Sequence, residues 1–426
     1  MTLFDFQKKG LEELKNFKRC AFYWDMGTGK TFVGAEKLID LNNPFNLVVC
    51  QKSKVKDWCM HFLTTYGSKK CVIYDLTRSD QMELFLSQSP KSCWKFIGVI
   101  NYDLLIRRSE LKKLTNFTLM LDESQAIQND SSLRTKFIVS MKPDAVVLLS
   151  GTPVNAKYEQ LYSQCKLLGW KISKTDFWER YIEYRSWKPA PKMPPIKLVT
   201  GYKNVEELKF NLRKHGANFL KTEEVLTLPE QVFQTVNVPV SREYKKFMKQ
   251  DFVTVEGETL VGDDNLSKLL YARQLCGIYN KDKLKAVEDW INSTEERVII
   301  FYNFNEELNR LKKITNKPIS VINGNFKNLS AYEEHSNSVT FVQYQSGAAG
   351  LNLQKARRMA FFSLPLSFSH FEQSKKRIHR IGQNETCFYY NFICEDSVEE
   401  DILANLIKGK DYTNRLFEKE NYERQR

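Results

Sequence analysis

Short apolar runs alternate with longer amphipathic stretches along this chain of 426 residues. The runs are about four to six residues long and rich in β-branched and aromatic side chains, which predicts strands, whereas the stretches between them have the spacing of helices. Strands that alternate with helices are typical of parallel α/β sheets. In the first half the predicted strands lie near residues 20–24, 46–50, 71–75, 95–101, 117–121 and 145–149. In the second half they lie near residues 297–302, 318–322, 339–344, 358–363 and 386–394.

The segment between the two sets of strands has a different pattern. From about 169 to 290 the chain reads as helical and irregular, without an internal repeat or a low-complexity tract. We therefore expect an α/β protein with two parallel-sheet lobes and a mainly helical insertion between them. The predicted domains are a first lobe, a basic helical insertion with a linker, a second lobe and a C-terminal helical tail, at residues 1–168, 169–290, 291–408 and 409–426.

The first predicted strand runs directly into a glycine-containing loop. Residues 24–31 read Trp-Asp-Met-Gly-Thr-Gly-Lys-Thr. Gly27 and Gly29 are able to adopt backbone angles that are closed to other residues, so the amide groups around Thr28 would turn toward a polyphosphate at the start of the next helix. The pattern predicts a site for a nucleoside triphosphate.

The two residues after the loop carry the side chains that such a site requires. The Lys30 ammonium group would reach the β- and γ-phosphates, and the Thr31 hydroxyl group would bind Mg²⁺. One mark of the usual loop is missing, because Trp24 stands where its first glycine is expected. The loop alone therefore does not establish a nucleotide site, and the motifs that follow supply independent support.

An acidic pair follows the predicted strand at 117–121. Asp122 at the end of a buried strand is placed to hold Mg²⁺, and Glu123 beside it is placed to polarise an attacking water. In isolation the pair has a second interpretation, as acids that favour the dipole of a helix N-terminus.

Two further segments give these motifs an order. The strand at 145–149 ends in Ser-Gly-Thr-Pro at 150–153, and the loop, the acidic pair and this segment together resemble the first lobe of a superfamily-two helicase or translocase. In the second half, residues 373–383 closely resemble the Gln-x-x-x-Arg-x-x-Arg-x-Gly-Gln motif of the Snf (sucrose-non-fermenting) family of DNA translocases. Taken alone, that segment is also compatible with a solvated basic helix.

The resemblance implies two RecA-like lobes that use ATP with Mg²⁺ as the cofactor. Thr31 and Asp122 would hold the metal, and Glu123 would activate the attacking water. Arg377 and Arg380 are three residues apart, which predicts that they share one face of a helix. In this family they would stabilise the γ-phosphate as an arginine finger does.

Three more positions follow from the resemblance. Gln7 would read the adenine edge, although it is also compatible with an ordinary polar position on an amphipathic helix. Gln125 stands where the family usually has His, and its amide is still able to link the ATP site to the segment at 150–153 by hydrogen bonds. Gly350, within the segment 345–353, would contact the nucleotide.

Contacts to a nucleic-acid backbone are implied for polar and basic groups at strand ends, namely Lys52, Ser53, Asn101, Tyr102 and Ser346. The insertion adds charge, because residues 171–221 hold 12 Lys/Arg against 5 Asp/Glu, with aromatic residues interleaved. Lys188 and Lys192 are therefore expected to track phosphates. A small helical subdomain with its own aromatic core is the alternative for this segment.

Composition and charge bear on the binding partner and the cellular compartment of the protein. A formal net charge of +13 suits a polyanionic partner, without separating nucleic acid from an acidic protein or a membrane surface. The 9 cysteines are scattered and never form Cys-x-x-Cys, which favours a reducing compartment over a zinc site or a disulfide framework. The sequence has no apolar run of membrane-spanning length, and its first residues lack the basic start and apolar core that are typical of a signal peptide. We expect a soluble monomer, cytoplasmic or otherwise intracellular, that does not bind membranes.

The predicted function is ATP-dependent translocation on double-stranded DNA. A strand-separating helicase on DNA or RNA is the runner-up, so single-stranded DNA and RNA stay open as partners. A nucleic-acid-binding clamp without hydrolysis is a third alternative from a different class. Against it stands the presence of each residue type that hydrolysis requires.

Overall fold

A computed structural model of the protein describes residues 3–67, 71–89, 94–154, 157–188, 195–347 and 351–417. The chain divides into two compact units, which meet in sequence between Val225 and Leu226 and again between Lys410 and Asp411. We refer to residues up to Val225 as unit 1 and to Leu226–Lys410 as unit 2, and each is described separately.

Unit 1 contains nine strands and nine α-helices in its described part. Its strands are β1 Arg19–Trp24, β2 Phe45–Cys50, β3 Cys71–Asp75, β4 Lys95–Asn101, β5 Phe117–Asp122, β6 Ala145–Ser150, β7 Ile182–Trp187, β8 Ile196–Tyr202 and β9 Ala217–Leu220. Its helices are α1 Asp5–Glu13, α2 Lys30–Asp40, α3 Val55–Tyr66, α4 Ser79–Leu86, α5 Tyr102–Leu105, α6 Leu133–Ser140, α7 Tyr162–Leu167, α8 Lys174–Tyr181 and α9 Val205–Lys214.

Seven of these strands form one sheet in the order β3-β4-β2-β5-β6-β1-β9. Every pairing in it is parallel, and the six strands predicted for the first lobe are all present. The strands are mostly apolar at consecutive positions because both faces of the sheet are covered. In β1, for example, Ala21 and Tyr23 join one hydrophobic core, whereas Phe22 and Trp24 join the other.

The seventh strand of this sheet, β9, was not predicted. It lies in the segment assigned to a separate insertion, yet it pairs with β1, so that Phe219 is opposite Tyr23 and Leu220 is opposite Trp24. The predicted boundary after residue 168 is therefore corrected. The chain returns to the first sheet before it enters unit 2, because the buried edge of β1 offers backbone groups that only another strand satisfies.

The insertion also contains more strand than its pattern indicated. β7 and β8 form an antiparallel hairpin whose register places Trp187 opposite Ile196. Most of its side chains are exposed, so it lacks the apolar alternation that reveals a half-buried strand. The insertion therefore contains hairpins in addition to its helices.

Unit 2 contains the remaining elements of the described chain. Its strands are β10 Gln231–Val238, β11 Phe252–Val255, β12 Glu258–Val261, β13 Val298–Tyr302, β14 Ile319–Ile322, β15 Lys327–Asn328, β16 Val339–Gln343, β17 Arg358–Phe361 and β18 Cys387–Cys394. The helices that begin in it are α10 Arg242–Gln250, α11 Asn265–Gly277, α12 Lys281–Asn292, α13 Asn305–Lys313, α14 Ser330–Glu334, α15 Tyr344–Gly347, α16 Phe368–Lys375 and α17 Val398–Phe417.

Its main sheet has the order β10-β18-β17-β13-β16-β14-β15. All pairings are parallel except that of β14 with β15, and the five strands predicted for the second lobe are present. The α/β class with two parallel-sheet lobes is thus confirmed.

The predicted limits of the second lobe at 291 and 408 differ from the structure. β10 joins the sheet from residue 231 onward, and α17 runs without interruption across residue 408. In the described part of the chain, no helix combines the length and the apolar character needed to cross a membrane.

Candidate nucleotide-binding site

The loop after β1 has the geometry of a phosphate cradle. Gly27 and Gly29 have φ angles of 86° and 78°, which L side chains rarely adopt, and α2 begins immediately afterwards at Lys30. A side chain at Gly29 would also overlap the amide nitrogen of Gln7. Glycine is therefore favoured at this position for two independent reasons, and the N-terminus of α2 that follows it is the kind of helix end that favours an anion. The residues present therefore fit a polyphosphate.

Lys30 lies over this loop in the structure. Its ammonium group donates hydrogen bonds to the carbonyl oxygens of Trp24 at 2.8 Å and Asp25 at 3.0 Å. The Thr28 hydroxyl group donates to the same Asp25 carbonyl at 2.7 Å, and Thr31 is exposed in the first turn of α2. The loop thus has an internal hydrogen-bond network, with a cation and an accessible hydroxyl group beside the glycines.

Gln7 lies in the first turns of α1 and is buried against the loop. Its side-chain nitrogen donates to the Thr28 carbonyl at 2.9 Å, and its side-chain oxygen accepts a hydrogen bond from the Phe4 amide at 3.0 Å. The predicted base-reading residue and the predicted phosphate loop are therefore in direct contact.

The acidic pair is at the carboxyl end of β5, on the same edge of the sheet as the loop. The Trp58 indole donates to a carboxylate oxygen of Asp122 at 2.8 Å. Burial, and to a lesser extent the neighbouring Glu123, raises the pKa of Asp122 to about 6. A cation at this place would be favoured, because it would compensate a carboxylate that is poorly solvated.

Glu123 has a backbone conformation that is rare for its residue type. Its φ of 55° and ψ of 58° lie in the left-handed region, and it precedes the short 3₁₀ helix Ser124–Ile127. Such strain is maintained only where the surroundings hold it, and it is concentrated at functional sites. Here it turns the chain sharply at the end of β5, next to the predicted metal ligand.

Gln125 connects this pair to the next strand. Its amide nitrogen donates to Glu123 at 2.8 Å, and its oxygen accepts from the Ser150 hydroxyl group at 2.7 Å. The Ser150 hydroxyl group in turn accepts from the Thr152 amide at 3.1 Å. An amide at position 125 therefore bridges the acidic pair and the segment at 150–153, which is the arrangement expected from the sequence.

One buried residue of this region was missed. Gln164 of α7 accepts hydrogen bonds from Tyr23 at 3.0 Å and from Ser124 at 2.8 Å, and it donates to the Pro153 carbonyl at 2.8 Å. It therefore connects residues at the carboxyl ends of three strands, β1, β5 and β6. A glutamine between apolar positions in residues 161–168 was the available signal, but its partners are distant in sequence.

In unit 2 the two predicted arginines converge, though not on a helix. α16 ends at Lys375, so Arg377 and Arg380 lie in the turns that follow it. Both guanidinium groups nevertheless donate to the carbonyl oxygen of Leu351, at 3.4 Å and 3.1 Å. The Gln383 side chain donates to the carbonyl oxygens of Gln354, Ala356 and Ile378, and so ties the turns after α16 to the segment before β17.

The predicted nucleic-acid contacts of unit 1 fall into two groups. Lys52 and Ser53 are exposed in a 3₁₀ turn that follows β2. Asn101 and Tyr102 are buried, and the Tyr102 hydroxyl group donates to the Asp122 carbonyl at 2.8 Å. Direct contact of these two side chains with nucleic acid is therefore corrected. A buried tyrosine needs a partner for its hydroxyl group, and here that partner is the end of β5.

Of the remaining predicted positions, the structure describes some and not others. Lys188 is exposed beside the hairpin of β7 and β8. Lys192 and Gly350 lie outside the described residues. Ser346 falls within α15, and its side chain lies outside what the structure describes.

Unit 2 also contains a close group of possible metal ligands that the spacing of the cysteines did not reveal. Ligand atoms of Cys276, Cys394 and Glu399 lie within 4.8 Å of one another. The Lys283 ammonium group, however, is 2.6 Å from Glu399 and compensates its charge. A hydrogen bond with Cys394, together with burial, raises the pKa of the Cys276 thiol. We therefore interpret the group as a buried ion pair beside two cysteines.

Comparison with known proteins connects these features. The SNF2-related domain matches residues 11–319, and the helicase conserved C-terminal domain matches residues 282–382. YwqA of Bacillus subtilis (strain 168), provisionally described as an ATP-dependent helicase/translocase, is 23% identical over 99% of this chain and 49% of its own length. The ISWI chromatin-remodeling complex ATPase ISW1 of Saccharomyces cerevisiae is 22% identical over 89% of this chain and 37% of its own length.

Among solved structures, the Sulfolobus solfataricus SWI2/SNF2 ATPase core in complex with dsDNA aligns with a TM-score of 0.46 and 18% identity, over 98% of this chain and 95% of that chain. This chain spans about half the length, or less, of the curated relatives named above. The SNF2-related domain nevertheless covers most of it, and the chain therefore belongs to the SNF2-related family.

Proposed function

We propose that this protein is an ATPase that uses Mg-ATP to move along double-stranded DNA. The observation that carries the proposal is the convergence, at one edge of the unit 1 sheet, of a glycine cradle, a lysine and a strained acidic pair. The order β5-β6-β1 places the acidic pair and the glycine loop at the ends of two strands, β5 and β1, that are separated by one strand. This arrangement has the parts that phosphoryl transfer from a nucleoside triphosphate to water requires.

Each group has a distinct part in the proposed reaction. Mg-ATP supplies the phosphoryl group whose transfer to water releases free energy. Lys30, now bonded to the loop carbonyls, would bind phosphate oxygens, and Thr31 and Asp122 would hold the metal. Glu123 orients and polarises the attacking water, while its bond to Gln125 fixes the carboxylate.

Coupling to nucleic acid is proposed to pass through Gln125. The bridge from Glu123 through Gln125 to Ser150 links the water-activating group to a neighbouring strand end. For Arg377 and Arg380 the proposal rests on the family motif, in which guanidinium groups stabilise charge on the transferred phosphate. Their shared contact with Leu351 is consistent with one functional cluster.

Double-stranded DNA is proposed as the track. Exposed Lys52 and Ser53 at a strand end, and Lys188 beside the hairpin, are suited to phosphate contacts that carry no sequence information. The net charge of +13 favours a polyanion. YwqA, with its description as a helicase/translocase, supports movement on nucleic acid without deciding whether strands are parted.

The test is steady-state ATP hydrolysis with duplex DNA, single-stranded DNA or RNA added in equal nucleotide concentration. We expect the largest stimulation with duplex DNA and none in Glu123→Gln, which should still bind ATP. Stimulation by single strands or RNA alone would favour the helicase. ATP-independent binding of nucleic acid, with no hydrolysis under any condition, would instead identify a clamp.

A further inference from the structure

The residue that breaks the phosphate-loop pattern, Trp24, has no accessible surface. Its ring packs against Phe22 with ring centres 5.2 Å apart and against Phe6 of α1 at 6.1 Å. Gly10 of α1 lies directly against the indole, where a methyl group would overlap the ring. α1 therefore approaches β1 as closely as its backbone permits, and the indole sets that distance.

Two polar groups of Trp24 fix the same region from other directions. Its indole nitrogen donates to the side-chain oxygen of Asn218 in β9, and Asn218 donates to Glu13 at the end of α1 at 2.6 Å. The carbonyl oxygen of Trp24 accepts the hydrogen bond from Lys30 at 2.8 Å. One residue thus contacts α1 through its ring and the phosphate-binding lysine through its backbone.

α1 also carries Gln7, one turn before Gly10. The bonds to Phe4 and Thr28 use one lone pair of the Gln7 amide oxygen and one N–H of its nitrogen. An amide offers two of each, so one acceptor site and one donor remain. Adenine presents a donor at N6 beside an acceptor at N7, which such an amide satisfies, whereas guanine presents two acceptors there.

We propose that Trp24 is a positioning residue for nucleobase selection: it sets the distance of α1 from the phosphate loop and so holds Gln7 where it accepts adenine and rejects guanine. The inference rests on the proposed role of Gln7. A smaller side chain at position 24 lets α1 shift, which misplaces the Gln7 amide. The phosphates stay bound through the loop amides, so the loss falls on the choice of base.

The experiment compares equilibrium binding of fluorescent ATP and GTP analogues, together with kcat/KM for both nucleotides, in the intact protein. Trp24→Leu removes the ring, and Gly10→Ala displaces α1 while Trp24 is kept. Both should lower the ATP-to-GTP ratio by roughly tenfold, within the range of one bidentate base contact. Trp24→Phe, which keeps most of the ring, should recover most of the ratio. Equal losses for ATP and GTP would overturn the proposal.

A double-substitution cycle distinguishes the positioning role of Trp24 from the base-reading role of Gln7, on which it depends. Gln7→Ala alone should lower the ratio, and Trp24→Leu added to it should lower the ratio no further, because both act through one amide. If Gln7→Ala leaves the ratio unchanged, the proposed role of Gln7 fails. If Gln7→Ala lowers it but Trp24→Leu and Gly10→Ala do not, only the positioning role fails. Thermal melting identifies a Trp24→Leu protein that is unfolded, and Gly10→Ala then decides.

Discussion

The Ser150 hydroxyl group donates a hydrogen bond of 2.7 Å to the side-chain oxygen of Gln125, while the nitrogen of the same amide donates to Glu123 at 2.8 Å. One amide therefore joins the ends of β5 and β6. An amide has both a donor and an acceptor in fixed relation, so the two bonds orient each other. A residue that lacks either group breaks the bridge.

Replacement of Gln125 by Ala should keep ATP affinity and lower DNA-stimulated hydrolysis by roughly tenfold, the equivalent of one oriented hydrogen bond of about 1.4 kcal/mol. Stopped-flow nucleotide binding and steady-state hydrolysis would measure the two effects. Gln125→His, which restores the residue usual in the family, should retain more stimulation than Gln125→Ala. Identical behaviour of the two variants would show that the bridge does not couple DNA to hydrolysis.

The second prediction concerns the pH dependence of metal binding. Burial raises the pKa of Asp122 to about 6, and only the ionised carboxylate is a metal ligand. Protons should therefore compete with Mg²⁺ below about pH 6, so that the apparent Mg²⁺ affinity falls roughly tenfold for each further pH unit. Mg²⁺ titrations of hydrolysis across a pH series provide the measurement.

Trp58→Phe tests the cause of that dependence. The indole donates to the charged form of Asp122 and so opposes the rise of its pKa. Without this donor the pKa should rise further, and the midpoint of the Mg²⁺ dependence should move to higher pH. The ring itself is preserved against Phe62, at 5.6 Å in the native protein. An unmoved midpoint would assign the pH dependence to another group.

The strands could be predicted from the sequence where both faces of their sheet are buried. A run such as 20–24 is apolar at every position because each face of its sheet meets a separate core, and its length excludes a helix. The hairpin of β7 and β8 was not predictable, since its side chains are mostly exposed and its pairing depends on no apolar pattern.

For the candidate site, the sequence indicated the residue types, but it indicated the backbone conformation around them less well. Gly27, Gly29 and the acidic pair follow from local chemistry, whereas the spacing of Arg377 and Arg380 gave no sign that α16 ends at Lys375. Gln383 binds carbonyl oxygens from two segments that are separate in sequence, and a tertiary contact of this kind has no local signal. The burial of Tyr102 likewise depends on its distant partner, Asp122.

The third prediction separates the two arginines of unit 2. Arg380 is partly exposed, whereas Arg377 is buried together with its guanidinium hydrogen bond to the Leu351 carbonyl. Arg380→Ala should keep ATP affinity and lose hydrolysis by roughly a hundredfold or more, as arginine-finger effects do. Arg377→Ala should in addition cost about 2 kcal/mol of stability, because it removes a buried charged hydrogen bond.

Nucleotide binding, turnover and thermal melting on both variants decide this prediction. Lysine at position 380 is the matched control, since it keeps the charge without the guanidinium geometry. A parallel loss of ATP affinity and turnover in Arg380→Ala would identify a plain binding residue. Equal melting temperatures for the two variants would contradict the structural role of Arg377.

The fourth prediction is that the hairpin region contacts DNA phosphates. Lys188 is exposed, and the Lys197 ammonium group lies over the rings of Tyr184 at 4.2 Å and Trp178 at 5.2 Å. Neutralising both lysines to Gln should weaken DNA binding and reduce its salt dependence by about one logarithmic unit for each lost contact. Fluorescence anisotropy at several salt concentrations measures the slope.

A matched control is available in the same unit. Lys112 and Lys113 are exposed, and Lys112 also lies over an aromatic ring, that of Phe137 at 4.5 Å. They precede β5, so they lie at the edge of the sheet opposite the strand ends that form the site. Their double replacement by Gln changes the net charge equally and should leave the slope unaltered. If both double variants have the same slope, the change in salt dependence reflects the net charge of the protein and not a contact of the hairpin with DNA.

The last prediction is that the protein moves along duplex DNA without parting its strands. Residues 373–383 resemble the motif of duplex-tracking motors, and backbone contacts are sufficient for such movement. Trp187 in β7 is a candidate for a strand-separating residue, because it is 52% exposed and a base would be able to stack on its ring. Trp178 is a weaker candidate, since it packs edge-on against Tyr184 at 5.7 Å.

Triplex displacement and unwinding of a forked duplex, measured on one preparation, distinguish the two activities. We expect ATP-dependent displacement of the third strand, no unwinding of the fork, and unchanged displacement in Trp187→Ala, because duplex tracking exposes no base for Trp187 to stack on. Efficient fork unwinding without triplex displacement would favour the helicase. Loss of that unwinding in Trp187→Ala would then identify the hairpin as its separating element.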